Sequence, residues 1–166
     1  MSRTVWTAAY VGTIIAANWL TATFGLVPIG LGLAVTAGTF AAGAALLVRD
    51  GLQLRTTRVW LLACITAGAA LSAITATPAI AVASGVAFLV SELVDWAVFT
   101  PLRDRSLPGA VLVSSVASAP VDTVLFLAIA GFGVTWPAVL GQFLVKTGMA
   151  LLVALALSRR GRTGRA

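Results

Sequence analysis

Four ionisable side chains lie within long apolar stretches, where a membrane-spanning helix would carry them into the hydrocarbon. They are Glu92, Asp95, Asp122 and Lys146. One such residue at the centre of a spanning helix costs about 2.5–3.5 kcal/mol on insertion scales. We therefore expect all four to face the protein interior and to pair there. Ionisable groups placed in this way commonly line the path of a solute or an ion.

Helical spacing places the polar residues of these stretches on single faces. Glu92 and Asp95 are three residues apart, and Gln142 and Lys146 are four apart. Residues three or four apart share one side of a helix. Several stretches therefore each present a polar face to a common interior. The candidate substrate-binding residues on these faces are Asn18, Glu92, Asp95, Asp122, Gln142 and Lys146.

The predicted interior charges do not balance, since three carboxylates face one lysine. Either one carboxyl group is protonated, or the site awaits a ligand that brings hydrogen-bond donors or positive charge. The alternative is a set of ion pairs that only hold the helices together. We favour a binding site, because intramembrane charges are usually functional.

Catalysis and metal binding find little support in the residue types. The chain contains no histidine and a single cysteine, Cys64, within an apolar run. This removes the usual acid–base residue and the commonest metal ligand. We expect no catalytic residue, no metal, no cofactor and no enzymatic activity.

Composition indicates how these residues are positioned. Of 166 residues, 60% are hydrophobic and 10% are charged, whereas about 25% are charged in a soluble domain. A spanning helix needs about 20 apolar residues, and Gly and Pro divide the longer runs. The sequence predicts an all-α bundle of six transmembrane helices over residues 1–158, followed by a basic tail at 159–166. The helices are predicted at about 5–24, 28–48, 59–76, 79–100, 109–131 and 136–158.

The arginines predict the orientation. Among eleven Lys and Arg residues, Lys146 lies inside a predicted helix. The other ten, all arginines, fall on one side of a six-span arrangement. Positive residues mark the cytoplasmic side, so both termini are expected in the cytoplasm. The net charge of +6 is then an orientation signal and not a nucleic-acid footprint.

A short pattern recurs in the fourth and fifth predicted helices. Residues 91–99 and 118–126 share S-x-x-V-D-x-x-x-F. The two helices run in opposite directions, so the recurrence is inverted. Inverted repeats that meet at polar residues in mid-membrane are a common transporter design.

Several of these segments resemble the queuosine precursor transporter family, of the vitamin-uptake-transporter type. Glu92 stands where that family has Gln, and Ala119 occupies the matching position of the next helix. The resemblance extends over nearly the whole chain. It is carried by residues 83–92, Asp95, 98–99, 101–103, 114–115 and 121–126, with 17–18, 25–28, 141–142 and Lys146.

This resemblance implies a six-helix importer of 7-deazaguanine-type bases in the bacterial inner membrane. Such a base presents two adjacent donors, which one carboxylate can accept through strong charge-assisted bonds. Glu92, Asp95 or Asp122 would be that acceptor, and Asn18, Gln142 or Lys146 would bind the opposite edge. Trp19 or Trp96 would stack on the ring.

The alternative function is a substrate-binding membrane subunit that needs a separate energising module. Copurification with an ATPase would favour that alternative. The expected partners are the small-molecule substrate and the lipid bilayer, with no nucleic acid. The sequence leaves the oligomeric state open, including a homo-oligomer.

Overall fold

The computed structural model of the protein describes residues 2–53 and 55–163, which form helices and one β-hairpin. In chain order the elements are α1 (Arg3–Phe24), β1 (Leu26–Gly30), β2 (Leu33–Thr36), α2 (Thr39–Gln53), α3 (Arg58–Thr75), α4 (Pro78–Leu102), α5 (Leu107–Ile129) and α6 (Trp136–Thr163).

Hydroxyl caps define where four of the helices begin. Ser2, Thr57, Thr77 and Ser106 each accept a hydrogen bond from the backbone N–H three residues further on. Such a cap satisfies one of the N–H groups that the first turn leaves unbonded. A proline directly after the cap adds to this at α4, where Pro78 is preorganised for the first helical position.

The hairpin differs from the sequence prediction of a helix over 28–48. Strands β1 and β2 pair antiparallel, with Val27 opposite Val35, and α2 begins only at Thr39. Pro28 and Gly30 disfavour helix at this point, and Gly30 and Gly32 adopt positive φ in the turn. The chain is therefore predominantly helical but not all-helical.

The helices form a closed ring. Each helix packs against two neighbours in the order α1, α3, α4, α5, α6, α2 and back to α1. Strand β2 packs against α6 on the inside of this ring, where Val35 and Thr36 are buried. The ring thus encloses an interior to which every helix contributes one face.

Four helices among the described residues are long and apolar enough to cross a membrane. They are α3, α4, α5 and the part of α6 from Trp136 to Ser158. Helix α2 has 15 residues, which is short for a span. Helix α1 has 22 residues, but its Trp, Thr and Asn side chains lower its hydropathy. The protein is a multi-pass helical membrane protein, and six spans stay a prediction.

Three arginine–tryptophan contacts gather at one end of the ring, which we call the arginine end. Arg3 lies over Trp60, with 4.0 Å between the guanidinium carbon and the ring centroid. Arg55 lies over Trp6 and Arg58 over Trp96 in the same manner. These contacts join the start of α1, the start of α3 and the end of α4.

The predicted basic tail at 159–166 falls only partly on described residues. Helix α6 continues through the first part of it to Thr163. Residues 164–166, including Arg165, lie outside the described residues.

Candidate functional site

A narrow cavity lies inside the ring, with about 20 Å³ of space for water-sized molecules. It is bordered by α1, β2, α2, α4, α5 and α6, so its walls come from distant parts of the chain. This volume is room for about one water molecule, so a larger ligand enters only when the walls move apart. The lining residues are Ala17, Asn18, Thr21, Thr36, Gly38, Thr39, Ala42, Ser84, Phe88, Asp122, Phe126, Gln142 and Lys146.

An ion pair between α5 and α6 forms one wall of the cavity. The Lys146 ammonium donates a hydrogen bond to Asp122 Oδ2 and a second, of 3.0 Å, to Thr123 Oγ1. Lys146 is 2% exposed and Asp122 is 5% exposed. Because both charges are buried, each depends on the other for compensation.

Two amide nitrogens at the cavity have no hydrogen-bond acceptor among the described residues. Asn18 Nδ2 on α1 and Gln142 Nε2 on α6 are buried, and neither donates a hydrogen bond to the described part of the chain. An unsatisfied buried polar group costs about 1–3 kcal/mol. Their position suits a ligand that presents acceptor atoms to both.

The aromatic rings that line the cavity are Phe88 and Phe126. Phe126 in turn stacks on Phe132, with 6.3 Å between ring centroids. The predicted stacking residues lie elsewhere. Trp19 is 48% exposed and packs edge-on against Phe24, while Trp96 lies beneath Arg58.

The hairpin and the start of α2 supply a wall of threonines. Thr21 Oγ1 accepts a 3.1 Å hydrogen bond from the Gly38 backbone N–H, and the hydroxyls of Thr36 and Thr39 are 2.9 Å apart. A side chain on Gly38 would overlap the Ala17 carbonyl oxygen, so α1 and α2 approach this closely only with glycine there. Sequence reasoning missed this wall because it placed Thr36 and Thr39 on a continuous helix over 28–48, whereas Thr21 lies on α1.

A second group of buried charges, the Arg49 cluster, consists of Arg49, Glu92 and Asp95. Arg49 Nη1 donates a 2.9 Å hydrogen bond to Glu92 Oε2, and Nη2 lies 2.9 Å from Asp95 Oδ1. The second contact does not have hydrogen-bond geometry, since Oδ1 accepts no hydrogen bond. It is therefore a purely ionic contact.

Arg49 corrects one sequence interpretation. The sequence analysis counted it among the ten arginines on the cytoplasmic side, but the residue lies within α2 and is 1% exposed. The available signal was its spacing, because Leu46, Arg49 and Leu52 recur every three residues and all are buried. Such spacing places Arg49 on the inward face of α2.

The structure thus divides the six predicted binding residues into two groups. Asn18, Asp122, Gln142 and Lys146 line the cavity. Glu92 and Asp95 lie in the Arg49 cluster, one to two helical turns beyond Phe88 toward the arginine end. Glu92 is displaced from Phe88 by about 6 Å along α4.

Comparison with known proteins identifies a family for the chain. A family model described as "Putative vitamin uptake transporter" matches residues 2–158. No curated protein and no solved structure shows significant similarity to the chain. The match includes every residue of the cavity and of the Arg49 cluster.

Proposed function

Since the chain belongs to the vitamin uptake transporter family, we propose that it imports a 7-deazaguanine-type precursor of queuosine. Import takes place across the inner membrane of a bacterium. The observation that carries this proposal is the cavity, which combines an ion pair, two amide nitrogens without a described acceptor and two phenyl rings. Such a set suits a small, planar, polar heterocycle.

The polar groups of the cavity complement the edges of a guanine-like base. Asp122 accepts the two adjacent donors of the base, N1–H and the 2-amino group. Asn18 and Gln142 donate to its carbonyl oxygen and ring nitrogen, and so acquire the partners that they lack in the empty protein. Phe88 and Phe126 lie against the faces of the ring.

Binding exchanges one partner of Asp122 for another. Without substrate, Lys146 pairs with the Asp122 carboxylate. A base that binds this carboxylate therefore displaces Lys146. The freed ammonium donates to the carbonyl oxygen of the base, and no charge is left unpaired. This exchange favours bases that present both donors and a carbonyl group over bases that do not.

Six spans with cytoplasmic termini fit this import function. Helix α1 and the unit of hairpin and α2 complete the bundle beside the four helices that are long and apolar enough to cross a membrane. Non-helical backbone is tolerated at membrane depth only when protein covers it, and α6 covers β2 in this way. The arginine end faces the cytoplasm.

A binding and uptake experiment tests the substrate assignment. Purified protein is titrated with 7-deazaguanine, guanine and adenine by thermal shift, and uptake of labelled 7-deazaguanine is measured in cells that express it. We expect stabilisation by the first two bases but not by adenine, whose edge reverses the donor pattern. Asp122→Asn should abolish both effects.

Asp104→Asn is the matched control, because this carboxylate is on the surface and 86% exposed. It should bind and transport as the unmodified protein does. Equal stabilisation by adenine, or full binding by Asp122→Asn, would refute the substrate assignment.

A further inference from the structure

The Arg49 cluster does not border the cavity, so substrate contact does not explain its charges. It contains one cation and two carboxylates, and burial of all three side chains is at least 98%. Across the described residues, the buried charges comprise Glu92, Asp95 and Asp122 against Arg49 and Lys146. Among these described side chains, buried carboxylates therefore outnumber buried cations by one.

Asp95 is the least compensated member of the cluster. It is 0% exposed, and neither of its carboxylate oxygens accepts a hydrogen bond from the described residues. Arg49 contacts both carboxylates. It donates a hydrogen bond to Glu92, whereas its contact with Asp95 is only ionic. A buried carboxylate is normally both paired and hydrogen-bonded. Asp95 is only partly paired, and it accepts no hydrogen bond from the described residues.

Among the described residues, the buried cations are Arg49 in the cluster and Lys146 at the cavity. Tyr10 on α1 and Cys64 on α3 pack in one core with Phe88 on α4, and neither side chain is cationic. On α5 the facing charge is Asp122, which is already paired with Lys146 on α6. The next described cation toward the arginine end is Arg58, which is exposed and lies over Trp96.

We propose that Asp95 binds a proton that moves inward with the solute. The inference rests on the proposed import function. A proton needs a single oxygen atom, whereas a metal cation needs several oxygen ligands beside a guanidinium that repels it. The new O–H bond forms with a proton from external water, and it breaks when that proton passes to water on the cytoplasmic side.

Protonation changes the contacts of Arg49. A neutral Asp95 no longer attracts the guanidinium, which keeps its hydrogen bond to Glu92. Loss of the proton restores the shared contact and holds α2 against α4. The cluster is in this way a proton-dependent link between two helices at the arginine end.

Helix α4 connects the proton site to the cavity. Phe88 lines the cavity and Asp95 lies seven residues further along the same buried face, at about 10 Å along the axis. A shift of α4 that accompanies protonation therefore also moves a wall of the cavity. This arrangement supplies the coupling that uphill import requires.

Transport in proteoliposomes tests the proposal. The protein is reconstituted, and entry of radiolabelled 7-deazaguanine is followed with the exterior more acidic, with equal pH, or with a sodium gradient at equal pH. With one proton per solute, a gradient of about one pH unit supports up to about tenfold accumulation. Entry of the base should also acidify a pH-sensitive dye in the lumen.

Variants separate coupling from transport. Asp95→Asn should lose gradient-driven accumulation and still exchange external labelled base for internal unlabelled base. Asp104→Asn makes the same chemical change at an exposed position and should keep both properties. Accumulation that ignores the pH gradient, or that follows sodium instead, would overturn the proton site.

Infrared spectroscopy tests the proton site without any solute. Acidification of the reconstituted protein should produce the carbonyl band of a protonated, buried carboxyl group, and this band should be missing in Asp95→Asn but present in Asp104→Asn. Absence of such a band in the unmodified protein would refute the inference. If no base is exchanged at all while the band is present, the proposed substrate fails and the proton site stands.

Discussion

At the scale of single residues, Asp122 and Lys146 each make the other tolerable at the centre of the bundle. The ammonium satisfies one carboxylate oxygen and also donates to Thr123. Removal of one partner of a buried pair is far more costly than removal of both, because a lone buried charge remains. Under the proposed function, a ligand replaces the contact between Lys146 and Asp122 with polar contacts of its own.

Lys146→Met is expected to destabilise the protein by about 3–5 kcal/mol, since it leaves Asp122 as an uncompensated buried charge. The double variant Asp122→Asn, Lys146→Met should recover a large part of that loss. Thermal unfolding in detergent, followed by tryptophan fluorescence, measures both effects. Strictly additive effects of the two substitutions would show that the side chains are not coupled.

Asn18→Ala and Gln142→Ala should separate binding from stability. Their amide nitrogens bind no described protein group, so truncation should change the free energy of unfolding little. Loss of one hydrogen bond to the ligand costs about 0.5–1.5 kcal/mol, which weakens binding of 7-deazaguanine by about twofold to tenfold. Isothermal titration and thermal unfolding give the two quantities.

Gln53→Ala is the matched control for these truncations. Its side chain also has an unpartnered buried atom, Oε1, but it lies outside the cavity. It should leave the affinity for the base unchanged. An affinity loss equal to that of Gln142→Ala would mean that the amides act through the fold and not through contact with the ligand.

The cavity residues that could be predicted from the sequence are those whose residue types are unusual in apolar stretches. Asp122 and Lys146 are conspicuous because charge is costly there. Thr21, Thr36 and Thr39 are not, since threonine occurs on any surface of a spanning helix. Arg49 was misassigned because a cation near the end of an apolar run is most often an interfacial residue.

At the scale of elements, the hairpin forms part of the cavity wall and so helps to set its shape. Its second strand reaches α6 so closely that a side chain on Gly141 would overlap the Ala34 carbonyl oxygen. This contact brings Thr36 and the start of α2 to the cavity wall. The sequence predicted the helices from the lengths of apolar runs, but β1 and β2 are equally apolar, and hydropathy does not distinguish a strand from a helix turn.

Gly141→Ala should therefore push β2 away from α6 and destabilise the protein by about 1–3 kcal/mol, as overpacking does. Gly148 offers a matched control on the same helix, because a Cβ there meets no atom within 4 Å. Gly148→Ala should be neutral or stabilising by up to about 1 kcal/mol. Thermal unfolding compares them, and equal effects would contradict the close contact.

At the scale of the whole molecule, the recurring S-x-x-V-D-x-x-x-F pattern acquires a structural meaning. Asp95 on α4 contacts Arg49 on α2, and Asp122 on α5 pairs with Lys146 on α6. The aspartate of each repeat thus pairs with a cation on another helix. The two helices that carry these cations, α2 and α6, pack against each other. The two pairs lie at different depths, one at the cavity and one toward the arginine end.

The direction of import depends on which end of the ring faces the cytoplasm. The arginine end carries Arg3, Arg55 and Arg58 on tryptophan rings, an arrangement that suits the cytoplasmic interface. In a Cys64→Ala background, Asp104→Cys marks this end and Val134→Cys marks the connection between α5 and α6. Both positions are exposed.

A membrane-impermeant maleimide applied to intact cells should label Val134→Cys at once and Asp104→Cys only after permeabilisation. The Cys64→Ala parent should stay unlabelled in both conditions. The reverse pattern would place the termini outside, and the Arg49 cluster would then lie nearer the exterior than the cavity. In that orientation a proton from outside would reach Asp95 before it reached the cavity. The labelling result therefore determines whether the proton site or the solute cavity lies nearer the exterior.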